Sequence, residues 1–175
     1  MTTTTEKLPT ALPFKLQPMK KVLIALDYDA SSKKVVETGY SLAKSMGAEV
    51  ILLHVIADTT YYTALAYPGI ASFDGFSNDS FFQMLSTDGL MKAAHYFLEK
   101  IRHHLRDESV EVLVEKGDFD EAILRAAKHH QADIIVMGTH SKRWLESVLM
   151  GSVAENVLHN SHIPLFIIPT KKRES

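Results

Sequence analysis

Apolar residues along this chain fall into short unbroken runs, separated by longer stretches in which they recur every three or four positions. The runs Lys21-Val22-Leu23-Ile24-Ala25-Leu26, Val50 to Ile56, Asp133 to Met137 and Leu165 to Ile168 lack the alternation of a half-solvated strand. The first three predict strands buried on both faces, and Leu165 to Ile168 a further apolar strand. Val110 to Val114 alternates in part and predicts an edge strand. Between the strands the period becomes helical. A helix is expected from about Ser31 to Met46, with Val35, Val36, Gly39, Leu42, Ala43 and Met46 on one stripe and Gly47 at its C-cap. A second spans Thr87 to Leu105, carried by Leu90, Ala94, Phe97, Leu98, Ile101 and Leu105. A third is capped by Gly117-Asp118 and runs through His129, turning Ile123, Ala126 and Ala127 inward. The fourth covers about Gly151 to His159, before Pro164 breaks the chain into the last strand. Alternation of this kind implies right-handed crossovers and one parallel sheet, an α/β fold. No internal repeat is visible.

The pattern fails in two places. Residues 1–18, with Pro9, Pro13 and Pro18 among threonines, are expected to form a flexible N-terminal arm. From 59 to 89 the chain holds Tyr61, Tyr62, Tyr67, Phe73, Phe76, Phe81 and Phe82 without period, an excursion with a short helix expected near Phe81 to Leu85. A long irregular insert in a compact domain is often functional. Aromatic side chains that cover a sheet edge or a dimer face are the alternative. The domain proper is expected over 19–170, with 171–175 a polar tail.

Composition narrows the class. A chain of 175 residues, 46% hydrophobic and 23% charged, is expected to form a single soluble domain. A formal net charge of −2 argues against broad electrostatic capture of nucleic acid or an anionic membrane. No cysteine is present, which removes disulfides, thiolate catalysis and cysteine-ligated metals. The N-terminal stretch has no apolar core like that of a signal peptide, and no run approaches the ~18 apolar residues of a membrane span. A cytoplasmic protein is the expectation.

Candidate chemistry is concentrated after the fourth strand. Met137-Gly138-Thr139-His140-Ser141 is followed, after nine further residues, by Gly151-Ser152-Val153 at the start of a helix. Glycine at a strand's carboxyl end lets the backbone approach an anion. The free N–H groups of a helix's first turn then point at that anion. In open α/β sheets ligands sit at this edge.

Taken together, the residues resemble the universal stress protein family over roughly residues 19–170. Four segments carry the resemblance, in the family's order: the first strand ending in Asp27 with Asp29-Ala30-Ser31-Ser32; Leu53-His54-Val55-Ile56; Glu115-Lys116-Gly117-Asp118 before Ile123-Leu124-Arg125-Ala126-Ala127; and Ala132 to His140 running on to Gly151-Ser152-Val153-Ala154-Glu155-Asn156-Val157-Leu158. The resemblance implies an open five-stranded parallel sheet of order 3-2-1-4-5 with helices on both faces, Rossmann-like and adenine nucleotide alpha hydrolase-like. The first and fourth strands would then frame a crevice where the winding reverses. One branch of the family binds ATP through Gly-x-x-Gly, nine residues and Gly-Ser/Thr. Here the spacing is intact, but Ser141 replaces the second glycine. A positive φ at that position would strain Ser141 by about 1 kcal/mol or more. A position used only for close approach would let its hydroxyl donate instead.

The resemblance also implies roles. Asp27 would accept from a ribose hydroxyl or adenine amine, or else cap the first strand–helix turn. Val55 would offer backbone to the adenine edge. Met137, Gly138 and Ser141 would line ribose and phosphates, and Gly151, Ser152 and Val153 would give N–H groups to the phosphates. For Gly151-Ser152 an ordinary N-cap is the alternative. Lys142 and Arg143 are phosphate partners or solvated charges, Trp144 a loop anchor, and Asp29 a charge where relatives often carry serine. The ligand implied is ATP or AMP, with or without Mg²⁺.

No catalytic residues and no metal ligands are assigned. His103-His104 and His129-His130 are adjacent pairs pointing about 100° apart on a helix. His54 reads as a satisfied core histidine, and His140 has no partner identifiable by spacing. A Walker A sequence is absent, so any hydrolysis is expected to be slow. The expectation is a nucleotide-binding regulatory protein of the stress response, homodimeric through the fifth strand, with a protein partner that the sequence does not name. Slow ATP hydrolysis on the same scaffold is one alternative. A dimeric interaction protein that has lost nucleotide binding, marked by Ser141 and Asp29, is the other.

Overall fold

The computed structural model describes residues 18–28, 31–58, 61, 86–139 and 151–170. The expected arm up to residue 17, most of the excursion, the short helix at 81–85 and the tail 171–175 lie outside the described residues. Nine elements follow in order among those described: β1 (Lys21–Leu26), α1 (Ser32–Met46), β2 (Glu49–Ile56), α2 (Thr87–Leu105), β3 (Glu111–Lys116), α3 (Phe119–His129), β4 (Ile134–Gly138), α4 (Ser152–Asn160) and β5 (Leu165–Ile168).

The five strands form one parallel sheet of order β3-β2-β1-β4-β5, as expected. Strand side chains alternate between the faces, and each face carries its own core. Val22, Ile24, Val50, Leu52 and Val136 meet Val35, Val36 and Ala43 of α1 and Leu98 of α2. Leu23, Ile51, Leu53, Val55, Ile135 and Met137 meet Ala122, Ile123 and Ala126 of α3 and Ala154 and Val157 of α4. Both faces being covered explains the strands' unbroken apolar runs. β3 is an edge strand, and its residues Val112 to Glu115 are only partly buried.

Element ends moved by small, explicable amounts. β3 begins at Glu111 rather than Val110, and β4 reaches Gly138, because pairing with Ile51 and Ile168 sets those ends. Asp118 stands at the N-cap of α3, but its side chain makes no capping hydrogen bond. Gly47 closes α1 in the left-handed region, at φ 66°. α1 lies close on the sheet because Gly39 has no side chain; a Cβ there would stand 2.9 Å from Val136 Cγ1 and 3.0 Å from Ile24 Cδ1. At the opposite end of the sheet the Asp133 carboxylate accepts from the Lys20 and Lys21 amides at 2.7 and 2.9 Å, fixing where β1 begins beside β4.

Candidate functional site

Winding reverses between β1 and β4. From β1 the chain steps outward through β2 to β3, and from β4 outward to β5. The carboxyl ends of β1 and β4 therefore open between diverging connections, where open α/β sheets bind ligands.

Three consecutive residues leave β1, and each is held by a different neighbour. The Leu26 carbonyl accepts from His54 Nδ1 of β2 at 2.8 Å. Asp27 is exposed, and its carbonyl and Oδ1 share the Ser32 hydroxyl of α1 at 2.6 and 2.8 Å. The Tyr28 ring lies 4.3 Å from the His54 ring and 4.8 Å from Phe97 of α2, centre to centre. Asp27 thus meets the first residue of α1 through the Ser32 hydroxyl, not through a helix N–H. The Val55 side chain is buried toward α3 and α4. The Ile56 carbonyl accepts from Gly117 N–H and so faces β3. By alternation, the Val55 main-chain groups face the β1 side, past the last registered pair Leu26–His54.

On the β4 side Met137 is buried and Gly138 is partly open. Thr139 joins three segments: its N–H donates to the Ile168 carbonyl at 3.0 Å, its carbonyl accepts from Gly151 N–H at 3.0 Å, and its Oγ1 accepts from Thr170 N–H at 3.2 Å. Gly151 is the N-cap of α4, buried, with φ −70° and ψ 153°, a conformation open to any residue. Its N–H is spent on Thr139. That donor, expected to serve phosphate, here closes the β4–α4 connection. Helix geometry leaves Ser152, Val153 and Ala154 N–H without intrahelical acceptors, whereas Glu155 N–H reaches the Gly151 carbonyl. Ser152 is exposed and Val153 half-buried. Lys34, in the first turns of α1, sends its ammonium to the Pro169 carbonyl at 2.5 Å, beside the same edge. Ser141, His140, Lys142, Arg143, Trp144 and Asp29 lie outside the described residues.

His54 is a core histidine, as expected, hydrogen-bonded through Nδ1. A carbonyl can only accept, so Nδ1 carries the proton. Among the described residues the buried Nε2 has no hydrogen-bond partner. Burial holds its pKa below the ordinary histidine value, against the opposing pull of the Leu26 carbonyl and the Asp27 charge. Among the described residues no group of three His, Asp or Glu side chains is placed to hold a metal ion, and no described helix is long and apolar enough to cross a membrane. Ser32 and Thr139 had no role assigned from the sequence. A serine opening the helix after a strand-terminal aspartate was the available signal for Ser32; Thr139 gave none.

The model of the universal stress protein family matches residues 18–169. The chain belongs to the universal stress protein family. Universal stress protein MJ0577 of Methanocaldococcus jannaschii is 29% identical over 161 residues, covering 87% of this chain and 96% of that relative. Universal stress protein A of Escherichia coli K12 is 27% identical over 158 residues, covering 89% and 97%. The solved structure of MJ0577 matches with a TM-score of 0.65 at 27% identity, covering 89% of this chain and 99% of that one. A universal stress protein solved in complex with cAMP matches with a TM-score of 0.59 at 18% identity, covering 89% and 100%. That last likeness is one of fold. In this universal stress protein, then, the carboxyl ends of the parallel strands β1, β2 and β4 lie at the same end of the sheet.

Proposed function

We propose that this chain is a nucleotide-binding regulatory protein of the stress response, taking ATP or AMP, with or without Mg²⁺, at the carboxyl ends of β1 and β4. One observation carries the reading. Where these paired strands end, one supplies an exposed carboxylate, Asp27, and the other leads through Gly138 to a helix N-terminus without a side-chain cap. A carboxylate suits ribose hydroxyls or an adenine amine, and uncapped first-turn amides suit phosphate. Asp27 and the Val55 main chain would meet the nucleoside. Met137, Gly138 and Ser141 would line ribose and phosphates, and Ser152 and Val153 N–H would meet phosphate oxygens. Gly151 would keep the approach free of a side chain. A relative of the same fold solved in complex with cAMP supports a nucleotide as the ligand.

Binding rather than turnover is the function. The output is a nucleotide-dependent change in the surface offered to a protein partner, which requires unequal nucleotide affinity in two states. We further propose a cytoplasmic homodimer paired through β5, an edge strand on which Phe166 stands partly exposed. Its domain spans 19–170, between an arm and a short tail.

Calorimetric titration of MgATP and of AMP into nucleotide-stripped protein tests the reading, with Gly151→Val as control. Micromolar binding abolished in a variant that melts like the parent supports it. No binding by the parent protein overturns it in favour of an interaction protein without a nucleotide.

A further inference from the structure

Ser32 and His54 are the buried polar side chains among the described residues, at 4% exposure each. They come from different elements, α1 and β2, yet they donate to successive carbonyls, those of Asp27 and Leu26. Burying an imidazole is costly, and among the described residues nothing bonds to Nε2 to offset that cost. A leucine would fill the space at the end of the otherwise apolar run of β2 without that penalty. What leucine cannot do is donate to the Leu26 carbonyl. Tyr28 then lies against both His54 and Phe97, so residues 26, 27 and 28 are fixed from β2, α1 and α2 in turn.

We infer that His54 and Ser32 are positioning residues that clamp the exit of β1, so that the Asp27 carboxylate is presented in one direction to the ligand. His54 acts through the main chain and Ser32 through both main chain and carboxylate. Neither touches the ligand. The consequence for affinity rests on the nucleotide reading above; the clamp itself does not.

The substitutions His54→Asn, His54→Leu and Ser32→Ala separate the possibilities. Asparagine places an amide N–H where Nδ1 stands and does not titrate; leucine removes the donor altogether. The Asp27 amide and carboxyl resonances are read by NMR in ligand-free protein, MgATP affinity by calorimetry and folding by thermal melting. H54N should keep the Asp27 resonances and bind within about twofold of the parent. H54L and S32A should shift those resonances and weaken binding by about tenfold, the scale of one buried hydrogen bond. Unchanged Asp27 resonances in both folded variants would overturn the clamp, as would equal weakening by H54N and H54L. If H54L does not fold, S32A decides alone. If the parent protein binds no nucleotide, the functional reading fails while the Asp27 resonances still decide the clamp.

Discussion

The Lys44 ammonium lies 2.5 Å from the Asp107 carboxylate, joining α1 to the loop that follows α2. Tyr40 donates to the same oxygen at 2.7 Å, and the Ser109 amide and hydroxyl take the other, at 3.0 and 2.5 Å. Bonded first by Lys44, then by Ser109 and Tyr40, the carboxyl is held well below the ordinary carboxylate range. The Lys44 pKa is raised in turn by the bond to Asp107. A depressed folded-state pKa means that the unfolded chain takes up the proton first. The network's stabilisation is therefore complete above about pH 4 and is lost as pH falls further. Asp107→Asn should lower the melting temperature by a few degrees at pH 7 and by less at pH 3. Melting followed by circular dichroism at both pH values checks this; an equal drop at both would refute it.

His54 gives a second, separate window. Its pKa is lowered by burial, so between the ordinary histidine value of 6.5 and its lower folded value the unfolded chain binds a proton that the native state refuses. Stability should be level from pH 8 to 7 and decline on acidification below about 6.5. H54N should flatten that decline and leave the Asp107 window in place. Urea titrations across the range, compared with the parent, measure the difference.

Gly39 sets the distance between α1 and the sheet. Alanine would gain about 1 kcal/mol of helix propensity, but its Cβ would meet Val136 and Ile24, both fully buried, at 2.9 and 3.0 Å. Overpacking of this kind typically costs about 1–3 kcal/mol. Gly39→Ala should therefore be destabilising on balance, and Gly39→Val more so, in urea unfolding at pH 7. A stabilised alanine variant would show that the helix can shift outward freely.

Asp133 closes the far end of the β1–β4 pair. Removing its carboxylate leaves the Lys20 and Lys21 amides without that acceptor, one of them part-buried. Asp133→Ala should cost about 1–2 kcal/mol. Asp133→Asn, which keeps an acceptor oxygen, should cost less. Hydrogen exchange at the two lysine amides should accelerate in the alanine variant, and unchanged exchange would count against the assignment.

Topology was legible because both faces of the sheet are covered: runs such as Val50 to Ile56 and Ile134 to Met137 had nowhere to lie except between two helical layers. Partial alternation from Val110 marked the edge strand for the same reason. What periodicity could not convey is where a polar group finds its partner. Ser32 reaches back five residues to Asp27, and Thr139 meets Gly151, Ile168 and Thr170 across connections whose course pattern alone does not fix. His54 looked like core because it is core; only the tertiary placement of the Leu26 carbonyl gives its ring a fixed tautomer. The Gly-Ser pair before α4 marked a helix start correctly. Which of its amides stay available was decided by the Thr139 carbonyl, a contact invisible to spacing.

The hydrogen bond from Gly151 to Thr139 draws the chain on either side of residues 140–150 into a closed neck anchored to β5. The end of β4, the start of α4 and the end of β5 are therefore tied at one residue, so a displacement of any of the three is transmitted to the other two.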